Sequence, residues 1–371
     1  MIEAPLVTVL ITCYNYGDYV GEAIESALSQ SYQRVELVVV DDGSTDHSRD
    51  VISSYGDRVT AVHKENGGQA SGWNAGFIRS RGSIVQFLDA DDILLPTTIE
   101  RVVGAFRARP DAAMVQFRLE VADQNGRPLG TVLPPLHVRL PDGDLRGDPR
   151  NWTNNSWWAP VGSAGAVASR VLKQVFPLPE GVYRIAADHG LARASALCGP
   201  VVSLEEVGGY YRSHSTNHSY NVGAIDIEKM DVDLRVAIAS HAYLREFAAR
   251  VGVDGYIADP DQLMDTLTQR VLLLKLGNTT RRLPGDRLPT VAWRGVRAAL
   301  CRRDAGLSVR LVHAGWFMAI AVLPRFAAWW LANHSVVRQN PRSVPAVLGV
   351  ILSRSRIRRS ASTTAPAGRG V

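Results

Sequence analysis

The chain has 371 residues, of which 46% are hydrophobic and 21% charged. That length points to two domains at about 150 residues each, with ample material for a core. The net charge of +5 is local: residues 336–371 hold seven Arg and no acid, against 34 basic and 36 acidic residues elsewhere. No recognition motif accompanies the charge, so nucleic acid is set aside as a partner.

Residues 6–12, LVTVLIT, form a β-branched run of the kind found in buried parallel strands. A polar loop, CYNYGDY, leads to a helix in which Val20, Ile24, Ala27 and Leu28 keep helical spacing. Residues 35–40 repeat the strand signature and end at Asp41-Asp42-Gly43-Ser44, with a helix expected from Thr45. A third strand at 59–63, a helix at 68–80 and a fourth strand at 84–88 follow. This rhythm predicts a doubly wound, mostly parallel α/β sheet, in which ligands collect beyond the carboxyl ends of the strands. The loops at those ends are all polar. Further on, a strand over 112–121, a helix over 188–197 and a strand near 201–205 are expected. Residues 151–170 resist assignment. Long helical patterns then cover 226–250, 260–276 and 289–303.

The fourth strand runs into Phe87-Leu88-Asp89-Ala90-Asp91-Asp92. Buried carboxylates cost several kcal/mol unless paired, so a positive charge is missing from this stretch. A divalent cation, Mg or Mn, suits such a site. The alternative is an exposed turn whose acids cap the next segment.

Taken in order, VTVLITCYNYGDYVGEAIESALSQSY, VELVVVDDGSTD, NGGQASGWNAG and GSIVQFLDADD resemble the family-two inverting glycosyltransferases of the GT-A fold. YRSHSTNHS, from Tyr211, is similar to a segment that closes many members' catalytic domains. The likeness covers residues 6–220. It implies a GT-A type catalytic domain over 1–222. Outside the likeness, the helical patterns mark a helical C-terminal region over 223–335, and low hydrophobicity marks a basic, disordered tail over 336–371.

By the same resemblance Thr12, Tyr14, Asn15, Asp41 and Asp42 grip the base and ribose of a nucleoside-diphosphate-sugar, a UDP-sugar being favoured. Gly68 and Asn74 belong to the loop and helix over the donor. Asp89 meets the ribose or the metal's water, and Asp91 ligates a Mn or Mg ion. His214 completes the metal's coordination, and Arg212 offers its charge to phosphate oxygens. Asp188 maps to the base that takes the acceptor's proton. The chain departs from the family pattern twice, with Trp73 where members often carry a basic residue and Ala187 where many carry Glu.

The implied reaction is metal-dependent transfer of one sugar, with inversion, to a glycan, lipid-linked or other hydroxyl acceptor, in cell-surface polysaccharide or glycoconjugate synthesis. The QxxRW signature of processive synthases is absent. A dehydrogenase or a pyrophosphorylase would need a glycine-rich phosphate loop after the first strand, and CYNYGDY is not one. A non-catalytic nucleotide-sugar-binding scaffold is the competing reading. Trp157 and Trp158 are candidates for stacking on an acceptor sugar.

Residues 307–332 are rich in apolar residues and Trp, but Arg310, His313 and Arg325 interrupt them. A core helix and an interfacial helix are the two readings, with peripheral membrane contact through 307–359 in the second case. Cys13, Cys198 and Cys301 lack ligand spacing and read as reduced thiols. With no secretory signal evident, a cytoplasmic location is expected, peripheral at the inner membrane face if the interfacial reading holds.

Overall fold

The computed structural model describes residues 4–147, 162–214, 226–253, 259–277, 283–302 and 306–334. Trp157, Trp158 and the tail beyond 334 lie outside the described residues. Two compact units are present. The first comprises residues 1–219 and 238–258, the second 220–237 and 259–371. Residues 238–258, read from sequence as part of the helical region, thus belong to the first unit.

The first unit is built on a nine-stranded sheet in the order β3-β2-β1-β4-β8-β6-β9-β5, with β7 on β6. β1 (Val7–Cys13), β2 (Val35–Asp41), β3 (Thr60–His63) and β4 (Ile84–Asp89) run parallel. The apolar runs of β1, β2 and β4 are buried because α1 (Gly17–Leu28), α2 (Ser48–Ser54) and α3 (Gln69–Arg79) cross over between the strands, whereas β3, at the sheet edge, is largely exposed. The strand register sets the site: Thr12 lies opposite Asp89, and Cys13 opposite Asp41. Three strand ends therefore open at one edge.

After the short β5 (Ile93–Leu94) and α4 (Thr98–Ala108), the sheet becomes mixed. β6 (Met114–Ala122) runs parallel to β9 (Val201–Arg212) and antiparallel to β7 (Pro128–Leu133) and β8 (Gly165–Ala168). β8 also pairs antiparallel with β4, joining the two halves. It comes from the stretch that sequence could not assign: at four residues, GAVA is too short for a periodicity to register. α5 (Ser169–Val175) and α6 (Ala187–Cys198) follow it, and α7 (Ile227–Arg250) opens the helical part of the chain. Burial raises the Cys13 and Cys198 thiols to about 11, leaving both protonated and unreactive.

In the second unit α8 (Met264–Leu276) buries Leu267, Val271, Leu272 and Leu273. α9 (Leu288–Cys301), α10 (Leu307–Val322) and α11 (Arg325–His334) pack around it. The apolar run after 307 is two helices because Leu323 precedes Pro324 and takes an extended conformation. Trp316, Phe317 and Ile320 are buried, whereas Leu307, Val322, Phe326 and Trp330 are 70%, 77%, 77% and 59% exposed. No helix among the described residues is long and apolar enough to cross a membrane.

Candidate active site

β4 delivers Asp89 to the sheet edge, and the chain turns at once, the Asp92 amide donating to the Asp89 carbonyl at 3.1 Å. The turn is held from several sides. The Ser163 hydroxyl donates to Asp92 Oδ2 at 2.6 Å and accepts the Asp89 amide at 3.0 Å. The Arg212 amide donates to Asp92 Oδ1 at 3.0 Å. Asp92 is therefore a structural acid with its oxygens engaged, and burial pushes its pKa well up.

Arg212, expected at phosphate oxygens, is instead an internal brace. It is 2% exposed, and its guanidinium donates to the Asp91 carbonyl at 2.7 Å, the Gln124 carbonyl at 2.9 Å and Glu22 at 2.5 Å. It also lies over the Tyr19 ring. A cation so enclosed fixes the acidic turn and does not face a ligand.

His214 and Asp91 do come together, with Nε2 3.0 Å from Oδ2. Tyr19 stacks on the imidazole at 4.8 Å, and Tyr16 meets it edge-on at 5.6 Å. Asp89 is in a different state. Burial first, then the negative charges of Asp91 and Asp188, push its pKa to about 8, and among the described residues only Gln69 Nε2, at 3.4 Å, donates to its side chain. Two carboxylates and an imidazole around an excess of negative charge make a donor set that suits a hard divalent cation. Among the described residues no three His, Cys, Asp or Glu side chains are already arranged as a metal cage.

The Asp pair at the end of β2 is turned inward. The Asp41 side chain is fully buried, accepting from the Ser44 amide and from Arg49 Nε, each at 2.9 Å. Burial works against its charge, but these bonds outweigh it and hold its pKa below the ordinary value. Asp42 organises the next loop, accepting from Lys64 Nζ at 2.7 Å and from the amides of Gly67 and Gly68 at 3.0 and 2.7 Å. Gly68 has φ +88°, and a Cβ there would meet the Arg184 backbone, so only glycine lets the loop pass. Asp42→Ala would strand these donors, and we expect a loss of about 2–3 kcal/mol of stability. Urea denaturation reads that loss directly.

Within the first loop Asn15 adopts φ +58°, a conformation Asn tolerates, and its Oδ1 accepts the Thr45 amide at 2.8 Å. Tyr14 beside it is 46% exposed, and Thr12 is half-buried at the end of β1. Asn74, expected over the donor, is turned to another segment. Its amide donates to the Leu178 carbonyl and accepts the Leu178 amide, at 3.0 and 2.8 Å.

Asp188 stands in the first turn of α6, half-buried. It does not cap the helix: the cap position is Ala186, which makes no side-chain cap bond and has φ +59°. A residue that sequence reading passed over holds this helix start. Gln69 Oε1 accepts the Ala187 amide at 2.8 Å, while its Nε2 reaches Asp89. One side chain thus ties the acidic turn to the candidate base. Gln69 was visible inside NGGQA, but nothing in its spacing pointed to residue 187. Ser163 lay in the unassigned stretch, 71 residues from its partner Asp92.

Residues 8–156 match Glycosyl transferase family 2. An uncharacterized glycosyltransferase of Nostoc sp. is 33% identical over 253 residues, covering 66% of this chain and 76% of that protein. One from Rickettsia prowazekii is 36% identical over 134 residues, 36% of this chain and 42% of that protein. Among solved structures, residues 1–349 of S. aureus TarS in complex with UDP-GlcNAc superpose with a TM-score of 0.51 at 16% identity. That alignment covers 88% of this chain and 89% of the TarS chain, and it is a likeness of fold. With family, relatives and fold in agreement, the chain belongs to glycosyl transferase family 2 and is a glycosyltransferase.

Proposed function

We propose that the protein transfers a single sugar from a UDP-sugar to a hydroxyl acceptor, inverting the anomeric carbon with the aid of Mg or Mn. The observation that carries this reading is the convergence at one sheet edge of Asp89 and the Asp91–His214 pair with Asp188, coupled through Gln69. TarS, which shares the fold, was solved with UDP-GlcNAc, which supports the choice of a uridine donor. Tyr14 and Thr12 face the base and ribose. Asp41, Asp42 and Asn15 act on the donor indirectly, by fixing the two loops around it.

Asp91 and His214 would hold a divalent ion with Asp89 beside them, and such an ion would supply positive charge against the departing diphosphate. Asp188 accepts the proton of the acceptor hydroxyl as that oxygen bonds to the anomeric carbon. The bond from that carbon to the diphosphate oxygen breaks, and its electron pair leaves with UDP. One carboxylate is sufficient for inversion. The acceptor is a glycan, lipid-linked or other hydroxyl, in cell-surface polysaccharide or glycoconjugate synthesis.

Slow hydrolysis of the donor tests the stereochemistry without a known acceptor. Proton NMR should show β-sugar released first from an α-linked UDP-sugar. Release of the α-anomer would overturn inversion.

The proposal extends to peripheral contact with anionic lipid at the cytoplasmic membrane face, through residues 307–359. Residues 305–371 carry nine Arg and no Asp or Glu, and the outer faces of α10 and α11 expose Leu311, Met318, Trp329 and Trp330. The full chain should sediment with phosphatidylglycerol vesicles and not with phosphatidylcholine alone. Trp329→Glu with Trp330→Glu should weaken that binding by about tenfold or more. Equal binding to both vesicles would remove the electrostatic part of the reading.

A further inference from the structure

The Asp91–His214 pair has a further neighbour in the CYNYGDY loop. Tyr16 meets the His214 ring edge-on at 5.6 Å, and its own ring lies 6.1 Å from that of Tyr19. With Tyr19 stacked on the imidazole at 4.8 Å, the three rings form one cluster, and the His214 side chain is 2% exposed. The backbone of Tyr16 is fixed as well. Its amide donates to Ser48 Oγ at 3.0 Å, and its carbonyl accepts the Tyr19 and Val20 amides at 2.9 Å. A ring carried on so fixed a backbone, and packed against His214, loses little further freedom when a ligand binds.

Tyr16 is half-buried, and its hydroxyl stands beside the acidic turn. Burial first, then the charges of Asp91 and Asp89, hold the phenol above its ordinary pKa, so it keeps its proton. None of the acids takes that proton in a hydrogen bond. Asp91 is engaged by His214, Asp92 by Ser163 and the Arg212 amide, and Asp89 by Gln69. Among the described residues the Tyr16 O–H has no hydrogen-bond partner.

The function proposed above puts the donor's diphosphate at this edge, and phosphate oxygens need hydrogen-bond donors as well as a cation. The side chains that the motifs offered for that purpose are engaged elsewhere. Arg212 is enclosed, Asn74 is turned to Leu178, and Lys64 is paired with Asp42. Residue 73, basic in many members of the family, is a buried Trp. As a wall for the imidazole alone, phenylalanine at 16 would be enough, and it would keep a half-buried hydroxyl away from three acids. The O–H is accounted for by an acceptor atom that arrives with the ligand. We propose that the Tyr16 hydroxyl donates a hydrogen bond to an oxygen of the donor's diphosphate, which makes Tyr16 a donor-binding residue. This inference rests on the UDP-sugar reading.

Tyr16→Phe keeps the ring against His214 and removes only the hydroxyl. Titration calorimetry with Mn should show UDP binding weakened by about tenfold or more, as for loss of a hydrogen bond to a charged group. Uridine, which has no phosphate, should bind wild type and variant alike, its weaker affinity being read by ligand-observed NMR. Affinity for Mn alone, followed by electron paramagnetic resonance, should be unchanged, because Asp91 and His214 keep their places. If Tyr16→Phe does not fold, Tyr16→Met, which fills the space without a hydroxyl, is read by the same three affinities. UDP affinity within about twofold of wild type overturns the diphosphate contact. Equal losses for UDP and uridine in a folded variant overturn it by placing Tyr16 at the base. A parallel loss of Mn affinity overturns it by showing that the residue acts through His214. A wild type that does not bind UDP overturns the UDP reading and this inference with it.

Discussion

Asp188→Asn should lower kcat for sugar transfer or donor hydrolysis by about 10²–10⁴-fold, the range a positioned general base supplies. The substitution keeps the shape of the side chain and removes only its capacity to take a proton. The turn that carries it is held by the Gln69–Ala187 bond and by the left-handed Ala186, neither of which involves the carboxylate, so the fold should be unaffected. Removing one negative charge from beside Asp89 does not oppose the approach of a diphosphate, so UDP affinity should hold or rise. A loss in kcat with UDP binding retained marks a group that acts on the reacting atoms. Activity within about threefold of wild type would mean that Asp188 is not the base, because even the weakest general bases contribute more.

The second large effect concerns the acidic turn. UDP at 100 times its Kd should stabilise the protein by about 2.7 kcal/mol when Mn or Mg is present. For a domain of this size that corresponds to a rise in Tm of about 5–10 °C. Chelation with EDTA should abolish the rise, and so should Asp91→Ala in the presence of metal. The argument is electrostatic. Burial first, and then the charges of Asp91 and Asp188, hold the Asp89 pKa near 8, and a diphosphate brings further negative charge to the same edge. Without a cation that approach is unfavourable. Equal stabilisation by UDP with and without EDTA would show that a protein cation meets the phosphates instead, and Lys64, already paired with Asp42, would be the first to substitute.

Much of this was legible in the chain itself. β1, β2 and β4 announce themselves because strands buried on both faces must be nearly continuous in apolar residues, and VTVLITC, VELVVVD and IVQFLD come close to that. The acids at their ends were equally plain, since a hydrophobic run that stops at carboxylates has few bland explanations. What the sequence concealed was direction. Arg212 and Asn74 sit in the right motifs, yet their side chains turn inward, to Glu22 and to the Leu178 backbone. A motif records which residue occupies a place, and the neighbours that claim its hydrogen bonds are distant in the chain. Asp41 illustrates the same limit, because Arg49, which satisfies it, lies on a helix that sequence could only outline. β8 and Ser163 were hidden for a simpler reason: a four-residue strand among glycines and alanines carries no pattern.

The brace made by Arg212 also bears on how the enzyme is born. Its amide reaches Asp92 across 120 residues, and its guanidinium reaches Glu22 across 190. A ribosome that has completed the acidic turn has therefore made Asp89, Asp91 and Asp92, but neither Asp188 nor the strand that locks the turn in place. Long-range contacts of this kind form after local ones, because closing the intervening chain costs entropy before any contact repays it. The growing polypeptide passes through a stage in which a cluster of like charge is present and unrestrained. Catalytic competence arrives as one late event in synthesis, when β9 docks.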